Sequence, residues 1–377
     1  MNPVEQRGLR ICHVIESAAA GSAGVMLALA RAGAEAGQQV TVIYSPIRAS
    51  NAFLQQLGAL GQVRAVALAM HRRVGIHDAA GALKLRGLLR RLGGFDVVHS
   101  HSSKAGALAR LGRLGTSAKH VYSPHGFVTM APDASRNYGR IERLLARFAD
   151  AIVPVSAKEK AHGVGLGIPP EKLIVITNGV DLPADLPVPR PVSPRLMLGF
   201  VGRLSEQKNP LLAVEAARCA LAQGVDLSLQ MIGDGELRRE TEALVAAHCL
   251  GDRIEVLGAR PALNYFPRFD ALLCTSRFEG MPLSFIEALG FGVPIISSRI
   301  GGSDELVLEG ETGMLADDTP EALAAAIGAF ADLPAAARAA MARRCRRHAE
   351  AFTTTRMADE TFALYRRLVA GGPVFSG

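Results

Sequence analysis

Two positively charged side chains in a glycine-started loop are the first candidates for chemistry in this sequence. Gly202 and Arg203 directly follow an apolar run, and Lys208 stands five residues after the arginine. Because an arginine offers a planar pair of donors and a lysine a compact charge, the two can hold one diphosphate from two sides. A solvated loop with two unrelated cations remains the alternative on these residues alone.

Two glutamates eight residues apart accompany a glycine turn in the same half of the chain. An apolar run ends at Thr275, Gly280 makes the turn, and a helix is expected to start near Pro282. The backbone N–H groups at such a helix start favour a phosphate, whereas Glu279 and Glu287 are suited to accept hydrogen bonds from sugar hydroxyls. An acidic residue favoured by the helix dipole would also explain Glu279.

Histidines are the candidates in the first half. His125 stands between Pro124 and Gly126 at the end of an apolar run, where its imidazole can bind a substrate hydroxyl. A histidine in an ordinary surface turn is the alternative. His99 and His101 lie on one face of a predicted strand, but no carboxylate or cysteine stands at ligand spacing, so we expect no metal site.

Buried strands that alternate with helices must position these residues. Apolar, β-branched runs predict first-half strands at Leu9–Ile15, Val40–Tyr44, Val63–Ala69, Phe95–His99, His120–Ser123, Ala151–Val155 and Leu173–Thr177. They predict second-half strands at Leu196–Val201, Leu227–Ile232, Arg253–Leu257, Ala271–Thr275 and Pro294–Ser297. Helical periodicity separates many of the strands, which is typical of parallel sheets covered on both faces.

This rhythm predicts an α/β fold with two doubly wound, Rossmann-like domains facing each other across a cleft, with ligands outside the carboxyl ends of the strands. Five prolines in residues 182–194 can form neither a helix nor a central strand. The predicted boundaries are an N-terminal domain over 1–182, a proline-rich linker over 183–194 and a C-terminal domain over 195–352. Residues 353–377 are expected to form a helix and tail that pack back toward the N-terminal domain.

Composition excludes several classes of protein. The 377 residues, 49% of them hydrophobic, are enough for two domains with apolar cores. The sequence has no run of 18 apolar residues and no apolar segment near residue 1, so we expect neither a transmembrane helix nor a secretory signal. The five cysteines are never closer than 25 positions, which indicates a reduced, cytoplasmic compartment.

Charge is distributed unevenly along the chain. The net charge of +7 combines +11 in residues 1–190 with −4 in residues 191–377, so the two halves are expected to meet different partners. The basic residues are not interleaved with aromatic side chains, and we expect no nucleic-acid partner. Residues 21–24 lack the glycine spacing of a dinucleotide site, so no nicotinamide or flavin cofactor is expected.

Several segments together carry a resemblance to a known family. In the second half they are Gly202 to Leu204 with Gln207 to Asn209, Glu279 with Glu287, Gly292 to Pro294, and Gly301-Gly302 with Glu305. In the first half they are Asp96 to Gly106, Tyr122 to Gly126, Val155-Ser156 and Asn178 to Asp181. Over nearly its whole length the chain resembles the retaining family-4 glycosyltransferases of GT-B fold. More narrowly, it is similar to members that build bacterial surface polysaccharide or lipid-linked oligosaccharide.

The resemblance implies a role for each candidate residue. Arg203 and Lys208 hold the donor diphosphate, Glu287 holds the donor ribose, Glu279 orients the donor sugar, and His125 contacts the transferring sugar. The implied catalytic set is His125, Glu279, Arg203 and Lys208. The implied donor-binding set is Gly21, Gly202, Arg203, Lys208, Gly280, Met281, Pro282, Leu283 and Glu287. The family commonly has a glycine doublet where this chain has Ala20-Gly21-Ser22, so the loop at Gly21 is expected to differ in shape.

The resemblance also implies the reaction. We expect a retaining, metal-independent transfer of a hexose or N-acetylhexosamine from a nucleotide-diphosphate sugar, with UDP as the nucleotide, to a polysaccharide or lipid-linked glycan. No cofactor is expected, because the nucleotide sugar is a substrate. A nucleotide-sugar epimerase of the same two-domain shape and a non-catalytic subunit of polysaccharide assembly are the alternatives.

A basic helical stretch suggests where the protein works. In residues 79–92, five leucines (Leu83, Leu85, Leu88, Leu89 and Leu92) accompany Lys84, Arg86, Arg90 and Arg91. A basic amphipathic helix can lie on anionic lipid, which predicts peripheral binding to the inner face of the cell membrane. An ordinary surface helix that packs its leucines on the sheet is the alternative.

Overall fold

A computed structural model describes residues 7–18, 21–71, 77–113, 115–131, 134–183, 195–300, 303 and 305–372. The chain divides into two compact units: unit 1 comprises Met1–Gly179 with Thr354–Gly377, and unit 2 comprises Val180–Thr353. Most of the stretch predicted as a linker, residues 184–194, lies outside the described residues, as do Gly301 and Gly302 of the resemblance.

Unit 1 is built on a parallel sheet whose strands run in the order β3-β2-β1-β4-β5-β6. The strands are β1 Arg10–Ile15, β2 Gln39–Tyr44, β3 Arg64–Ala67, β4 Val97–His101, β5 Lys119–Ser123 and β6 Ala151–Ile152. The helices along this part of the chain are α1 Gly21–Glu35, α2 Asn51–Ala59, α3 His77–Leu92, α4 Ser103–Leu111, α5 Arg136–Leu145 and α6 Ala157–Gly165.

Unit 2 repeats the same winding, with the strand order β12-β11-β10-β7-β8-β9. Its strands are β7 Leu196–Val201, β8 Leu227–Ile232, β9 Ile254–Gly258, β10 Ala271–Cys274, β11 Ile295–Ser298 and β12 Gly313–Ala316. Its helices are α7 Pro210–Ala222, α8 Arg238–Ala247, α9 Leu283–Gly290, α10 Pro320–Ala331 and α11 Ala335–Ala349. The prediction of two doubly wound, Rossmann-like domains is confirmed.

Alternation along β1 shows how both faces of a sheet are covered. Cys12 and Val14 pack with Leu85 and Leu89 of α3, whereas Ile15 packs on the opposite face with Met26 of α1. Because successive side chains of a strand point to opposite faces, an apolar run can fill two cores at once. This explains why the strands are so uniformly apolar in the sequence.

The helix that follows unit 2 along the chain returns to unit 1. Helix α12, Thr354–Val369, contacts α1 and β5. A Cβ atom on Gly33 of α1 would lie 3.4 Å from the ring of Phe362, so the glycine permits a close approach of the two helices. Tyr365 of α12 is fully buried within unit 1.

The strand predicted at Leu173–Thr177 is wrong. Only Leu173 forms a bridge, to Ile152 of the two-residue strand β6 at the edge of the sheet. Two backbone hydrogen bonds continue along this edge, from Ile174 to Ile152 and from Ile176 to Pro154, but the segment forms no regular strand. Conversely, the sequence pattern did not predict β12 or α2. Strand β12 has only four residues, and α2 has only Phe53 and Leu57 buried.

Helix α3 does not have the exposed apolar face that its sequence suggested. Leu85, Leu88 and Leu89 are buried in the core and Leu92 packs against them, while Leu83 alone is 65% exposed. Most of the leucines therefore pack on the sheet, as expected for an ordinary surface helix.

None of the described helices is by itself long and apolar enough to cross a membrane, and among them only the sharply bent pair α10 and α11 is so when taken together.

Candidate functional site

The loops after β7 and β10 meet because these two strands are neighbours in the sheet of unit 2. Lys208 Nζ lies 2.5 Å from Glu279 Oε1, and the Ser276 hydroxyl donates to the same oxygen at 2.8 Å. The two charged side chains are largely buried, with 20% and 8% exposed. Burial lowers the pKa of Lys208, but the contacts with Glu279 outweigh it and raise that pKa, so Lys208 is charged at neutral pH. A predicted phosphate ligand and a predicted sugar ligand thus lie side by side.

Backbone contacts fix this pair of loops. The Gln207 side-chain amide donates to the carbonyl oxygen of Phe278 at 3.1 Å. The Thr275 hydroxyl lies 3.1 Å from the carbonyl oxygen of Lys208 and 2.8 Å from that of Asn209. Because each contact joins one loop to the other, Lys208 and Glu279 have little freedom to move apart.

Arg203 lies on the same loop but near its exposed side. Its guanidinium is 3.1 Å from Glu236, and the two side chains are 56% and 51% exposed. The loop of Glu236 approaches closely through two glycines: a Cβ atom on Gly233 or Gly235 would lie 1.8 or 2.2 Å from a backbone oxygen of the Arg203 loop. These glycines therefore serve close backbone packing of the loops after β7 and β8.

Gly202 makes room for the lysine. A Cβ atom at Gly202 would lie 3.3 Å from the Lys208 side chain. Asn209, directly after the lysine, has a φ of 49°, in the left-handed region. Ser102, directly after β4, and His125, close after β5, also have a positive φ, of 71° and 55°. Non-glycine residues with a positive φ cluster at functional sites. The loops after β4, β5 and β7 are therefore candidates for the functional site.

Helix α9 starts where the sequence predicted, directly after the turn of Gly280. Met281 and Pro282 are buried, and the N-cap residue Pro282 gives no side-chain hydrogen bond to the first turn, which begins at Leu283. Glu287 lies one turn further along α9, where burial raises its pKa to about 6. A half-buried carboxylate of this kind is suited to accept hydroxyl hydrogen bonds.

In unit 1, His125 lies in the turn after β5. Burial lowers its pKa to about 4, so the imidazole is neutral at physiological pH. Its Nδ1 atom has no hydrogen-bond partner within the described residues. The backbone N–H of the next residue, Gly126, donates to Glu159 at 2.6 Å. Burial raises the pKa of Glu159 to about 7, against the opposing effect of its backbone donors.

A buried cluster of histidines adjoins His125. His13 Nδ1 lies 3.0 Å from His101 Nε2, and His101 Nδ1 lies 3.0 Å from His125 Nε2. His99 bonds instead to Tyr365 and to Ser123. One nitrogen each of His13, His99 and His101 falls within 4.8 Å of the others. Hydrogen bonds account for both nitrogens of His99 and of His101.

The remaining predicted residue lies elsewhere. Gly21 is the first residue of α1, after β1 in unit 1, and it is exposed. Lys208, Glu279, Arg203, Gly202 and the turn at Gly280 instead share the carboxyl edge of the sheet in unit 2.

Sequence reasoning missed several residues of these two edges. Glu236 was not recognised as the partner of Arg203, although the segment Gly233-Asp234-Gly235-Glu236 directly after a buried strand offered a signal. Glu159 and His13 gave no signal, because a glutamate in a helical segment and a histidine within a strand are ordinary.

Comparison with known proteins follows the two-unit division. Residues 187–350 match the family described as glycosyl transferases group 1, and residues 19–183 match glycosyltransferase family 4. An Escherichia coli UDP-Gal:alpha-D-GlcNAc-diphosphoundecaprenol alpha-1,3-galactosyltransferase is 32% identical over 259 residues, covering 64% of this chain and 67% of the relative. A putative colanic acid biosynthesis glycosyltransferase, WcaL of Salmonella typhimurium, is 30% identical over 62% of this chain and 61% of its own length.

Solved structures extend the likeness to nearly the whole chain. HepE of Anabaena in complex with UDP and glucose is similar with a TM-score of 0.80, at 20% identity over 94% of this chain and 98% of that one. Sucrose-phosphate synthase of Thermosynechococcus elongatus has a TM-score of 0.81, at 21% identity over 96% and 100%. The solved structures show that the fold is GT-B. The two family matches and the E. coli relative show that the chain belongs to glycosyltransferase family 4 and is a glycosyltransferase.

Proposed function

We propose that this glycosyltransferase moves a hexose or N-acetylhexosamine from a UDP-sugar to a lipid-linked glycan or polysaccharide, with retention at the anomeric carbon. The Lys208–Glu279 pair carries the proposal, because it sets a buried cation for a phosphate beside a carboxylate for sugar hydroxyls. The E. coli relative supports it, since its name specifies UDP-Gal and a diphosphoundecaprenol-linked acceptor. The UDP and glucose bound by HepE support a uridine nucleotide.

The proposed transfer needs positive charge more than a protein base. Arg203 and Lys208 stabilise the charge that develops on the departing diphosphate. The bond from the anomeric carbon to the phosphate oxygen breaks, and a bond to the acceptor oxygen forms on the same face of the sugar. The acceptor proton passes to the departing phosphate oxygen. Glu279 and His125 hold sugar hydroxyls, and Glu287 holds the ribose.

We propose that this reaction requires no metal ion and no cofactor. The two cations and the N-terminus of α9 supply the positive charge that a metal would otherwise provide. The nucleotide sugar is consumed as a substrate.

We further propose that unit 1 binds the anionic inner face of the cell membrane through α5 rather than through α3. Tyr138, Ile141 and Leu144 of α5 are 37%, 43% and 54% exposed, and exposed arginines (Arg140, Arg143 and Arg147) accompany them. The opposite side of α5 is anchored by Glu142, which is buried and accepts from Arg110 at 2.9 Å. Exposed apolar side chains flanked by arginines are suited to an interface of anionic lipid.

The proposal is tested by incubating the purified protein with UDP-glucose, UDP-galactose or UDP-N-acetylglucosamine and an undecaprenyl-diphosphate-linked saccharide. We expect one donor to be consumed only with acceptor, an α-linked product from the α-configured donor, and undiminished turnover in excess EDTA. A β-linked product would overturn retention. Loss of turnover in EDTA, restored by Mg²⁺ or Mn²⁺, would overturn metal independence. An isomerised sugar formed without acceptor would identify an epimerase instead.

A further inference from the structure

The turn that carries His125 has a backbone conformation that its own sequence does not favour. His125 has a φ of 55° and Gly126 a φ of 91°. A glycine adopts such angles readily, but a histidine does so only where its surroundings hold it there. Groups outside the turn must therefore stabilise this conformation.

One buried carboxylate binds the turn. Glu159 Oε1 accepts from the backbone N–H of Gly126 at 2.6 Å, and Oε2 accepts from that of Val155 at 2.7 Å. The backbone N–H of Phe127 adds a third favourable contact. Glu159 is fully buried and forms no salt bridge with any residue that the structure describes. Its acceptor atoms are thus devoted to backbone N–H groups of two separate segments.

Helix capping does not account for this placement. Glu159 is the third residue of α6, and the Ser156 hydroxyl accepts from the Glu159 N–H at 3.1 Å, as in a capping box. In a complete capping box the glutamate side chain returns to the N–H of the cap residue. Here it instead reaches Val155 and crosses to Gly126. Burial of a carboxylate without a cation is costly, so we look for its purpose in the turn that it binds.

The imidazole of His125 is held from another side. The rings of His101 and His125 stack with centroids 5.3 Å apart and planes inclined by 18°, and Nδ1 of His101 lies 3.0 Å from Nε2 of His125. The second nitrogen of His101 is engaged by His13. Since a neutral imidazole has one donor and one acceptor, both sites of His101 are used. His125 Nδ1 is then the nitrogen that no described residue occupies.

We propose that Glu159 and His101 are positioning residues for His125. Glu159 fixes the backbone of the turn, and His101 fixes the orientation of the ring through Nε2. Nδ1, which is buried and unpaired, is the ring nitrogen left for a sugar hydroxyl. The inference rests on the proposed role of His125 in contacting the transferred sugar.

The test is a set of double-mutant cycles on the full chain with UDP-sugar and acceptor. Glu159→Gln keeps the shape of the side chain but sets an amide donor against a backbone donor. We expect kcat to fall about 100-fold, as a small misplacement of a reacting group can cause, while KM for the UDP-sugar stays near wild type. Glu171→Gln, which changes an exposed carboxylate of the same unit, is the matched control and should be without effect.

His125→Ala supplies the second arm of the cycle. If Glu159 acts through His125, the variant that combines Glu159→Gln with His125→Ala is no slower than His125→Ala alone. His101→Leu leaves every hydrogen bond of Glu159 in place and tests the ring separately, including the case in which Glu159→Gln does not fold. Thermal melting followed by circular dichroism verifies the fold of each variant.

The outcomes separate this inference from the proposed function. Wild-type kcat in folded Glu159→Gln and His101→Leu, with an impaired His125→Ala, would overturn the positioning roles and leave the proposed function intact. Additive losses in the double variants would also overturn them, because Glu159 and His101 would then act on something other than His125. A fully active His125→Ala would overturn both positioning roles, because His125 would then have no contact with the sugar to be positioned for.

Discussion

The two cations at the edge of unit 2 differ in burial, and this difference determines what each contributes. Lys208 is four-fifths buried and pairs with a buried carboxylate, whereas Arg203 and its partner Glu236 are both more than half exposed. An exposed ion pair is screened by water and salt and contributes little. Removing one partner of a buried pair leaves the other charge without compensation. We therefore expect Lys208 to contribute more than Arg203 to phosphate binding.

Replacing Lys208 is expected to weaken donor binding more than replacing Arg203. Lys208→Ala removes the buried cation and leaves Glu279 unpaired, a loss on the order of 2–5 kcal/mol in UDP binding. Arg203→Ala gives a smaller loss, which shrinks further in high salt. Isothermal titration with UDP measures both, with Arg218→Ala, an exposed ion-paired arginine of α7, as the control. Wild-type affinity in both variants would contradict the diphosphate contact.

Replacing Glu236 should strengthen UDP binding rather than weaken it. Its carboxylate occupies Arg203 in the structure, so Glu236→Gln frees the guanidinium and removes a negative charge near the diphosphate. We expect UDP to bind about two- to fivefold more tightly, the range of an exposed ion pair. The gain should disappear when Arg203→Ala is added. Weaker binding in the single variant would show that Glu236 itself helps to hold the donor.

The sequence predicts some of these residues and not others for a physical reason. Lys208 and Glu279 stand in loops whose glycines and strand ends are recognisable locally. Glu236 and Glu159 act on segments 33 residues away, Arg203 and Gly126 respectively. Such contacts depend on which strands are neighbours and on their register, which no local spacing encodes.

At the scale of elements, α3 and α5 show how one pattern serves two purposes. Both helices carry leucines and arginines at helical spacing, but α3 turns its leucines into the core while α5 leaves Ile141 and Leu144 exposed. Arg110, one of the cations of the basic first half of the chain, is buried against Glu142. Only the packing of the sheet decides which face of a helix is covered, so periodicity alone does not tell which basic helix leaves its apolar side chains exposed.

We expect α5 to determine binding to anionic vesicles. Combining Ile141→Ser with Leu144→Ser should abolish co-sedimentation with vesicles containing phosphatidylglycerol at low salt, because it removes the exposed apolar side chains. Replacing Lys84, Arg86, Arg90 and Arg91 of α3 by glutamine is the control and should reduce binding only in proportion to charge. Retention in the supernatant of the unaltered protein at low salt would refute the membrane role.

Most strands were predictable because each is a buried apolar run, and β7 and β8 match the predicted bounds residue for residue. The failures concern short elements at sheet edges. The segment at Leu173 had the composition of a strand but only the two-residue β6 beside it. Strand formation needs a partner, and the partner's length is invisible in the segment itself.

At the scale of the whole molecule, unit 1 contains five histidines that burial keeps neutral at physiological pH. Burial lowers the pKa of His13 to about 3 and of His120 and His125 to about 4, and it lowers those of His99 and His101 well below the ordinary value. The unfolded chain binds protons at these sites below pH 6.5, whereas the folded chain does not. Glu159, with its pKa raised to about 7, acts in the opposite direction between pH 7 and 4.5.

The melting temperature of unit 1 should therefore fall as the pH is lowered from 6.5 toward 4. Five histidines outweigh one glutamate, and each histidine contributes up to about 1.4 kcal/mol per pH unit to the slope of the unfolding free energy. Calorimetry at pH 7.5, 6.5, 5.5 and 4.5 measures the melting temperature of unit 1 as a function of pH. His13→Phe should flatten the curve by one proton. Parallel curves for His13→Phe and the unaltered protein would contradict these pKa directions.

The return of α12 to unit 1 has a consequence for how the protein is made. Unit 1 is assembled from residues that are separated in the chain by all of unit 2. During translation, α1 lacks its contact with Phe362 and His99 lacks its contact with Tyr365 until α12 has left the ribosome. Unit 2 is continuous and can fold as soon as it emerges, so the usual N-terminal-first order is reversed at the last step. A released chain that ends at residue 353 should hold a folded unit 2 tethered to an unfinished, protease-sensitive unit 1.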